Sequence, residues 1–248
     1  MNSVRGRIWA PTYTAGLSLA FYFANERIID ICRRIWRFWG IRSSLPIYIF
    51  SLVYHEQQDN IIPLINVFKK DLLFVDSAIH YFHAGPLIRR ENEYLDIDIS
   101  VRRKIFNKMS LLVRHLPIHY STIVVGKNHV GYQDELSKSL AKELEKTIVS
   151  NLTYFQTFDS IKIYYDNGQK QLTKLLLKTL QANLSSIVFR LVKPTEYILF
   201  QVADFVSTIE LTHIKFDTKL NSNSESYFFG DERQFNRNYY RHILAKRL

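Results

Sequence analysis

The sequence predicts an α/β fold in which strands and helices alternate and at least some strands are parallel. Short runs of β-branched and aromatic residues recur along the chain, and longer stretches with helical apolar spacing separate them. With 248 residues and a hydrophobic fraction of 47%, the chain is long enough to bury one large core. We therefore expect a mixed sheet flanked by helices.

Each strand and helix is assigned from its local pattern. Residues 46–54 (PIYIFSLVY) have strand character, and further strands are predicted over 118–125, 161–165 and 187–192. A short extended piece over 77–83 is predicted to end at a turn formed by Gly85 and Pro86. Thr195 is a candidate helix N-cap, and residues 221–226 are predicted to form a polar loop. Helices are predicted over residues 57–70, 100–116, 133–155, 169–184, 195–213 and 235–246.

The first 46 residues differ in composition from the rest. They hold all three tryptophans, the only cysteine and seven arginines, but no lysine, and two acidic residues leave them a net charge of +5. One interpretation is a basic amphipathic leader, whose apolar face would comprise Ile28, Ile29, Ile31, Ile35 and Phe38. The other is that this stretch is not native to the domain and arises from a shifted reading frame. We predict an atypical segment over 1–45 and an α/β domain over 46–248.

Composition also limits the setting and the partners. The single cysteine, Cys32, excludes an internal disulfide framework and favours a reducing, cytoplasmic location. No apolar run reaches about 18 residues, so we expect no membrane span. Residues 15–24 follow two arginines, but no convincing cleavage site for a signal peptide follows them. The net charge of +10 favours nucleic acid as a partner, although half of it lies in the first 46 residues.

Two aspartates are the main candidates for chemistry. Asp166 directly follows an apolar strand, and ligands bind at that edge of open α/β sheets; an aspartate that only stabilises the turn before Gly168 is the alternative. Asp204 lies in a helix that is apolar nearly all round, where a carboxylate is seldom buried without a partner or a metal. Together they predict a catalytic site holding Mg²⁺ or Mn²⁺ for phosphodiester hydrolysis.

Several other polar residues are candidates for substrate contact. Gln201 lies one helical turn before Asp204. Phosphate contact is possible for three residues of one segment, His83, Arg89 and Arg90; the alternative is that they form a salt-bridged surface loop. A zinc site formed by His80 and His83 would need further ligands, and none stands out in the sequence. A lysine stripe on the helix after Asp166 could follow a nucleic-acid backbone or could simply be a solvated face; it comprises Lys170, Lys174 and Lys178.

Three sequence pieces together resemble a bacterial and phage family catalogued as domain of unknown function 3800, an RNase H-like group. They are IHYFHAGPLIRREN-Y from residue 79, IKIYYDNGQ from residue 161 and YILFQVADFVSTIEL from residue 197. The resemblance covers residues 46–248 and implies a nuclease-like domain in which Asp166 and Asp204 match later acidic positions. Members of that family open with a strand ending in Asp-Glu-Ser-Gly, whose aspartate is a primary metal ligand in the RNase H-like scheme.

This chain has no Asp-Glu-Ser-Gly, and the Trp- and Arg-rich segment stands where it is expected. We therefore expect the central first strand to be absent or replaced, and neither Glu26 nor Asp30 to substitute for the missing aspartate. Three hypotheses follow: a metal-dependent nuclease-like domain, inactive in this copy if the site is incomplete; a non-catalytic protein that binds nucleic acid; and a membrane-associated protein that uses its amphipathic start.

Overall fold

A computed structural model describes residues 28–36, 47–126, 133–165, 170–193 and 195–248. Within these residues the chain forms one five-stranded sheet in the order β3-β2-β1-β4-β5. The strands are β1 Ile28–Trp36, β2 Ile47–Glu56, β3 Ile118–Gly126, β4 Ser160–Tyr165 and β5 Ile187–Leu191. Pairing is antiparallel between β1 and β2 and between β2 and β3, and parallel between β1 and β4 and between β4 and β5. The mixed α/β architecture predicted from the sequence is confirmed.

Ten α-helices connect and cover the strands in the described part of the chain. They are α1 Ile62–Val75, α2 Ala84–Arg89, α3 Ile99–His115, α4 Gln133–Ser150, α5 Leu152–Phe155, α6 Lys170–Asn183, α7 Ile198–Asp217, α8 Asn223–Phe229, α9 Glu232–Phe235 and α10 Arg241–Leu244. A 3₁₀ turn over Asn92–Tyr94 follows α2, and a π-helical turn over Asn236–Tyr240 joins α9 to α10.

The two faces of the sheet carry separate apolar clusters. One cluster lies between the sheet and helices α4 and α6, and includes Ile29, Tyr54 and Ile163. The other packs helices α2, α3 and α7 with the C-terminal helices, and includes Val53 and Tyr120 from the sheet. Phe106 is fully buried at its centre and forms edge contacts with several other aromatic rings. Because α7 packs against both β1 and β2, its side chains lie next to the middle of the sheet.

The structure places a strand where the sequence predicted the first strand to be absent or replaced. Residues 28–36 form β1 at the centre of the sheet, so this stretch is not an amphipathic leader separate from the domain. Its basic and tryptophan-rich sequence resembles an amphipathic helix, but backbone pairing with β2 on one side and β4 on the other determines its conformation. Part of the predicted 1–45 segment therefore contributes backbone to the same sheet as the domain.

Three local predictions are corrected. Gly85 and Pro86 lie inside the first turn of α2 instead of forming a turn, because proline is tolerated at the start of a helix. The polar stretch around Ser222 begins α8, where Ser222 and Glu225 form a reciprocal capping box. The N-cap of α7 is Tyr197 and not Thr195.

Among the described residues, no helix combines the length and the apolar character that crossing a membrane requires.

Candidate functional site

Asp204 lies on α7 with none of its surface exposed to solvent. Its Oδ2 accepts a hydrogen bond of 2.8 Å from the backbone N–H of Ala84, the first residue of α2. The sequence-based expectation that this carboxylate is buried is therefore confirmed, and a backbone amide 120 residues earlier in the chain is one of its partners.

The segment leading into α2 is held by three side chains in succession. The Phe82 N–H donates to Gln201 Oε1 at 3.0 Å, and the His83 N–H donates to the Tyr94 hydroxyl at 3.1 Å. The Ala84 N–H then donates to Asp204. Gln201, predicted to contact substrate, is nearly fully buried and uses its oxygen in this network. One role of the Gln201 and Asp204 pair is thus to fix this segment against α7.

The Tyr94 hydroxyl acts as both donor and acceptor in this network. It donates to the Tyr81 carbonyl at 2.9 Å while it accepts from the His83 N–H. Burial raises the pKa of Tyr94, and the nearby charges of Glu93 and Asp204 raise it further against the lowering effect of the His83 hydrogen bond. The phenol therefore stays protonated at neutral pH and keeps its donor role.

Asp166 lies outside the described residues, but the structure describes β4, which precedes it, and α7, which carries Asp204. Strand β4 ends at Tyr165, one residue earlier in the chain. The ring of Tyr164 stacks on the ring of Tyr197, with centroids 4.6 Å apart, and Tyr197 immediately precedes α7. The carboxyl end of β4 therefore lies beside the beginning of α7. Asp204 is seven residues further along that helix, a rise of about 10 Å.

Asp30, which we expected not to substitute for the missing aspartate, lies within β1. Its backbone pairs with His55 of β2 and Lys162 of β4. The last described pair between β1 and β4 joins Cys32 and Tyr164. Asp30 is thus three residues, or about 10 Å, short of the level at which β4 ends. Glu26, the other residue considered, lies outside the described residues.

The basic residues around α2 take part in local contacts. Arg89 forms an ion pair with Glu91 at 2.8 Å, as the alternative of a salt-bridged surface loop predicted. Arg90 adopts a left-handed conformation at φ 61° and donates from Nε to the Leu95 carbonyl at 2.6 Å. His83 is half-buried as the N-cap residue of α2. Their predicted contact with substrate stays a prediction.

The lysine stripe on α6 lies on the side of the sheet opposite α7. Helix α6 packs against α4, and Lys174 and Lys178 are exposed. The structure describes only the backbone of Lys170. Because these side chains stand on an exposed helix, the solvated-face interpretation and phosphate contact both remain compatible with their position.

Two buried charged side chains, Arg102 and Glu210, were not predicted from the sequence. Arg102 on α3 is nearly fully buried and donates to the Leu87 and Ile88 carbonyls at 2.7 and 3.1 Å, which closes the C-terminal end of α2. Burial, and then the charge of Arg90, lower the pKa of Arg102. Glu210 on α7 accepts from the Tyr120 hydroxyl at 2.5 Å and from Arg247. The apolar surroundings that singled out Asp204 in the sequence could also have identified Glu210.

A metal site is not complete within the described side chains. No group of three or more His, Cys, Asp or Glu side chains in the described part of the chain is close enough to hold an ion. Asp204 is the one predicted ligand whose side chain is described. The predicted pairing of Asp166 with Asp204 on one metal ion therefore stays a prediction.

Comparison with solved structures finds distant similarity. No protein-family model matches the chain, and no curated protein matches it. Among solved structures, the chain is similar to the ribonuclease H2 from Pyrococcus horikoshii OT3, with a TM-score of 0.36 and 12% sequence identity. The alignment covers 86% of this chain and 98% of that protein. The family resemblance of the sequence pieces stays a prediction.

Proposed function

We propose that this chain carries an RNase H-like nuclease domain that acts on nucleic-acid phosphodiesters with the help of Mg²⁺ or Mn²⁺. The observation that supports it best is the position of Asp204, a fully buried carboxylate on the helix that packs against the two central strands. The Tyr164–Tyr197 stack brings the beginning of that helix to the end of β4, and Asp166 is the next residue after β4 in the sequence. A ligand supplied by Asp166 would therefore come from the edge of the sheet where ligands bind in open α/β folds.

The donor chemistry suits a hard divalent cation. Asp166 and Asp204 would supply carboxylate oxygens, the ligands that Mg²⁺ and Mn²⁺ prefer in proteins. Such an ion would activate water and neutralise charge on the displaced oxygen. The Ala84 N–H donates to Oδ2 of Asp204, and an ionised carboxylate has further lone pairs with which it could hold a cation.

A second candidate function, nucleic-acid binding without hydrolysis, is favoured by β1. Where the family opens with Asp-Glu-Ser-Gly, this chain has Asp30 followed by Ile31 and Cys32. The β1 residues beyond Cys32, toward the level at which β4 ends, are Arg33 and Arg34. Two arginines in that stretch suit phosphate better than they suit a metal ion.

The experiment that tests the proposal measures cleavage of labelled single-stranded DNA and RNA by the full chain with Mn²⁺ or Mg²⁺, and with a chelator. We expect cleavage that needs metal and is lost in both Asp166→Asn and Asp204→Asn. Asp217→Asn is the matched control, because Asp217 lies exposed on the same helix. Undiminished cleavage in both variants would rule out these residues. Salt-sensitive binding without cleavage by the unmodified chain would favour the second candidate.

A further inference from the structure

A basic groove lies between α3 and the C-terminal helical segment. It encloses about 600 Å³, and its basic side chains are Lys104, Lys108, Arg114, Arg237 and His242. None of the described residues that line it is acidic. We propose that this groove binds the phosphodiester backbone of a nucleic acid. The inference rests on the proposed function for the identity of the ligand, and it adds the surface that would hold that ligand.

Most of the basic side chains in the groove have no ion pair with a described carboxylate. Arg114 donates from Nη2 to the Asn238 carbonyl at 2.6 Å, and Arg237 donates from Nε to Oδ1 of the same residue at 3.3 Å. Lys108 alone among them pairs with an acid, Asp71, at 2.8 Å, as far as the described residues go. Positive charges that line the same groove repel each other, and a bound anion would offset that electrostatic repulsion.

His242 responds to this positive environment. Burial and the charge of Arg114 lower the pKa of His242, and a backbone hydrogen bond to Arg237 opposes them. Burial is the larger cause and the charge of Arg114 adds to it, since no described residue that lines the groove is a carboxylate. A cleft lined by one sign of charge also focuses the field and raises the local concentration of anions.

The spacing of the groove residues suits a polyanion. Lys104, Lys108 and Arg114 follow one another along α3 over ten residues, a rise of about 15 Å, which is long enough to meet several phosphates of one strand. The opposite wall is the π-helical turn, and π turns are frequent at functional sites. The Tyr239 hydroxyl donates to Asn107 Oδ1 at 2.8 Å and fixes the two walls relative to each other.

The groove differs from the lysine stripe on α6 in shape and in place. Lys174 and Lys178 stand on an exposed helix surface on the other side of the sheet, where each charge is screened separately by solvent and salt. The groove gathers its charges from two elements around one hollow. The two surfaces can therefore be compared directly with variants that remove the same number of charges.

The test measures binding of the full chain to a labelled single-stranded DNA of about 20 nucleotides, longer than one typical binding site. Fluorescence anisotropy is recorded over a salt series with a chelator present, so that hydrolysis does not contribute. The groove variant is Lys104→Gln/Arg237→Gln. The matched control is Lys138→Gln/Lys142→Gln, two exposed lysines on α4, on the opposite face of the sheet. Lys174→Gln/Lys178→Gln tests the rival stripe.

We expect the groove variant to bind about tenfold more weakly near 0.1 M salt. The slope of the logarithm of the binding constant against the logarithm of the salt concentration should become shallower by roughly 1.4, because two phosphate contacts are lost. The control should bind as the unmodified chain does. Unchanged binding by the groove variant, or an equal loss in the control or the stripe variant, overturns the inference while leaving the proposed function standing. No binding by the unmodified chain, with cleavage absent as well, overturns both. Equal unfolding midpoints verify that the variants are folded.

Discussion

Replacing Asp204 separates its structural contribution from its proposed role in metal binding. In Asp204→Ala, the Ala84 N–H loses its acceptor while it stays buried, since Ala84 has no exposed surface. Leaving such a donor unsatisfied costs about 1–3 kcal/mol of unfolding free energy. Asp204→Asn keeps an oxygen that can accept from Ala84, so it loses only the additional strength of a charged acceptor, about 1 kcal/mol.

The assay is urea unfolding at pH 7, in which the midpoint and the slope are followed for the unmodified chain, both variants and Asp217→Ala as an exposed control on the same helix. We expect the free energy of unfolding to fall most for Asp204→Ala, less for Asp204→Asn and by no more than about 0.5 kcal/mol for the control. Hydrogen exchange at the Ala84 amide should accelerate in Asp204→Ala. If Asp204→Ala is as stable as the unmodified chain, Asp204 does not anchor α2 and the reasoning fails.

Three further predictions concern other parts of the chain. Lys215→Met should lower the free energy of unfolding by about 3–5 kcal/mol, because it removes the ammonium group that lies 2.6 Å from the buried Glu225 carboxylate. Adding Glu225→Gln should recover more than half of that loss in urea unfolding, and no recovery would contradict the pairing. Since folding lowers the pKa of His242 from its ordinary value of 6.5, the free energy of unfolding should rise as the pH increases toward 6.5. His242→Asn should flatten this rise, and an unchanged pH profile in that variant would contradict the assignment to His242. Ile29→Ala should cost about 2–5 kcal/mol by thermal or urea unfolding if β1 is an integral strand, whereas an appended leader would show no loss.

The sequence pattern predicted the elements whose signals are local. Strands β2, β3, β4 and β5 coincide closely with apolar, β-branched runs, and α3 and α6 with helical apolar spacing. The predicted helix over 133–155 is interrupted at Asn151, between α4 and α5. The capping box of Ser222 and Glu225 was readable in the sequence as Ser-x-x-Glu, so α8 could have been predicted.

Non-local contacts decide what the sequence pattern could not predict. Strand β1 is formed by pairing with β2 and with β4, and β4 lies more than 120 residues further along the chain. The apolar character of α7 predicted that Asp204 is buried, but no local signal identified Ala84 as its partner. The basic groove likewise combines α3 with a segment more than 120 residues later, and its two walls meet only in the folded chain.

The register of β1 connects the two candidate functions to one structural feature. Asp30 pairs with Lys162, and β4 ends three residues later. At about 3.3 Å per residue, a carboxylate carried at Asp30 starts about 10 Å from the level of the strand end, close to the limit that two aspartate side chains sharing one ion can span. Arg33 and Arg34 are nearer to that level in the same strand. If cleavage requires an aspartate at the end of β1, this chain lacks it, and the basic groove then represents the function that the fold retains.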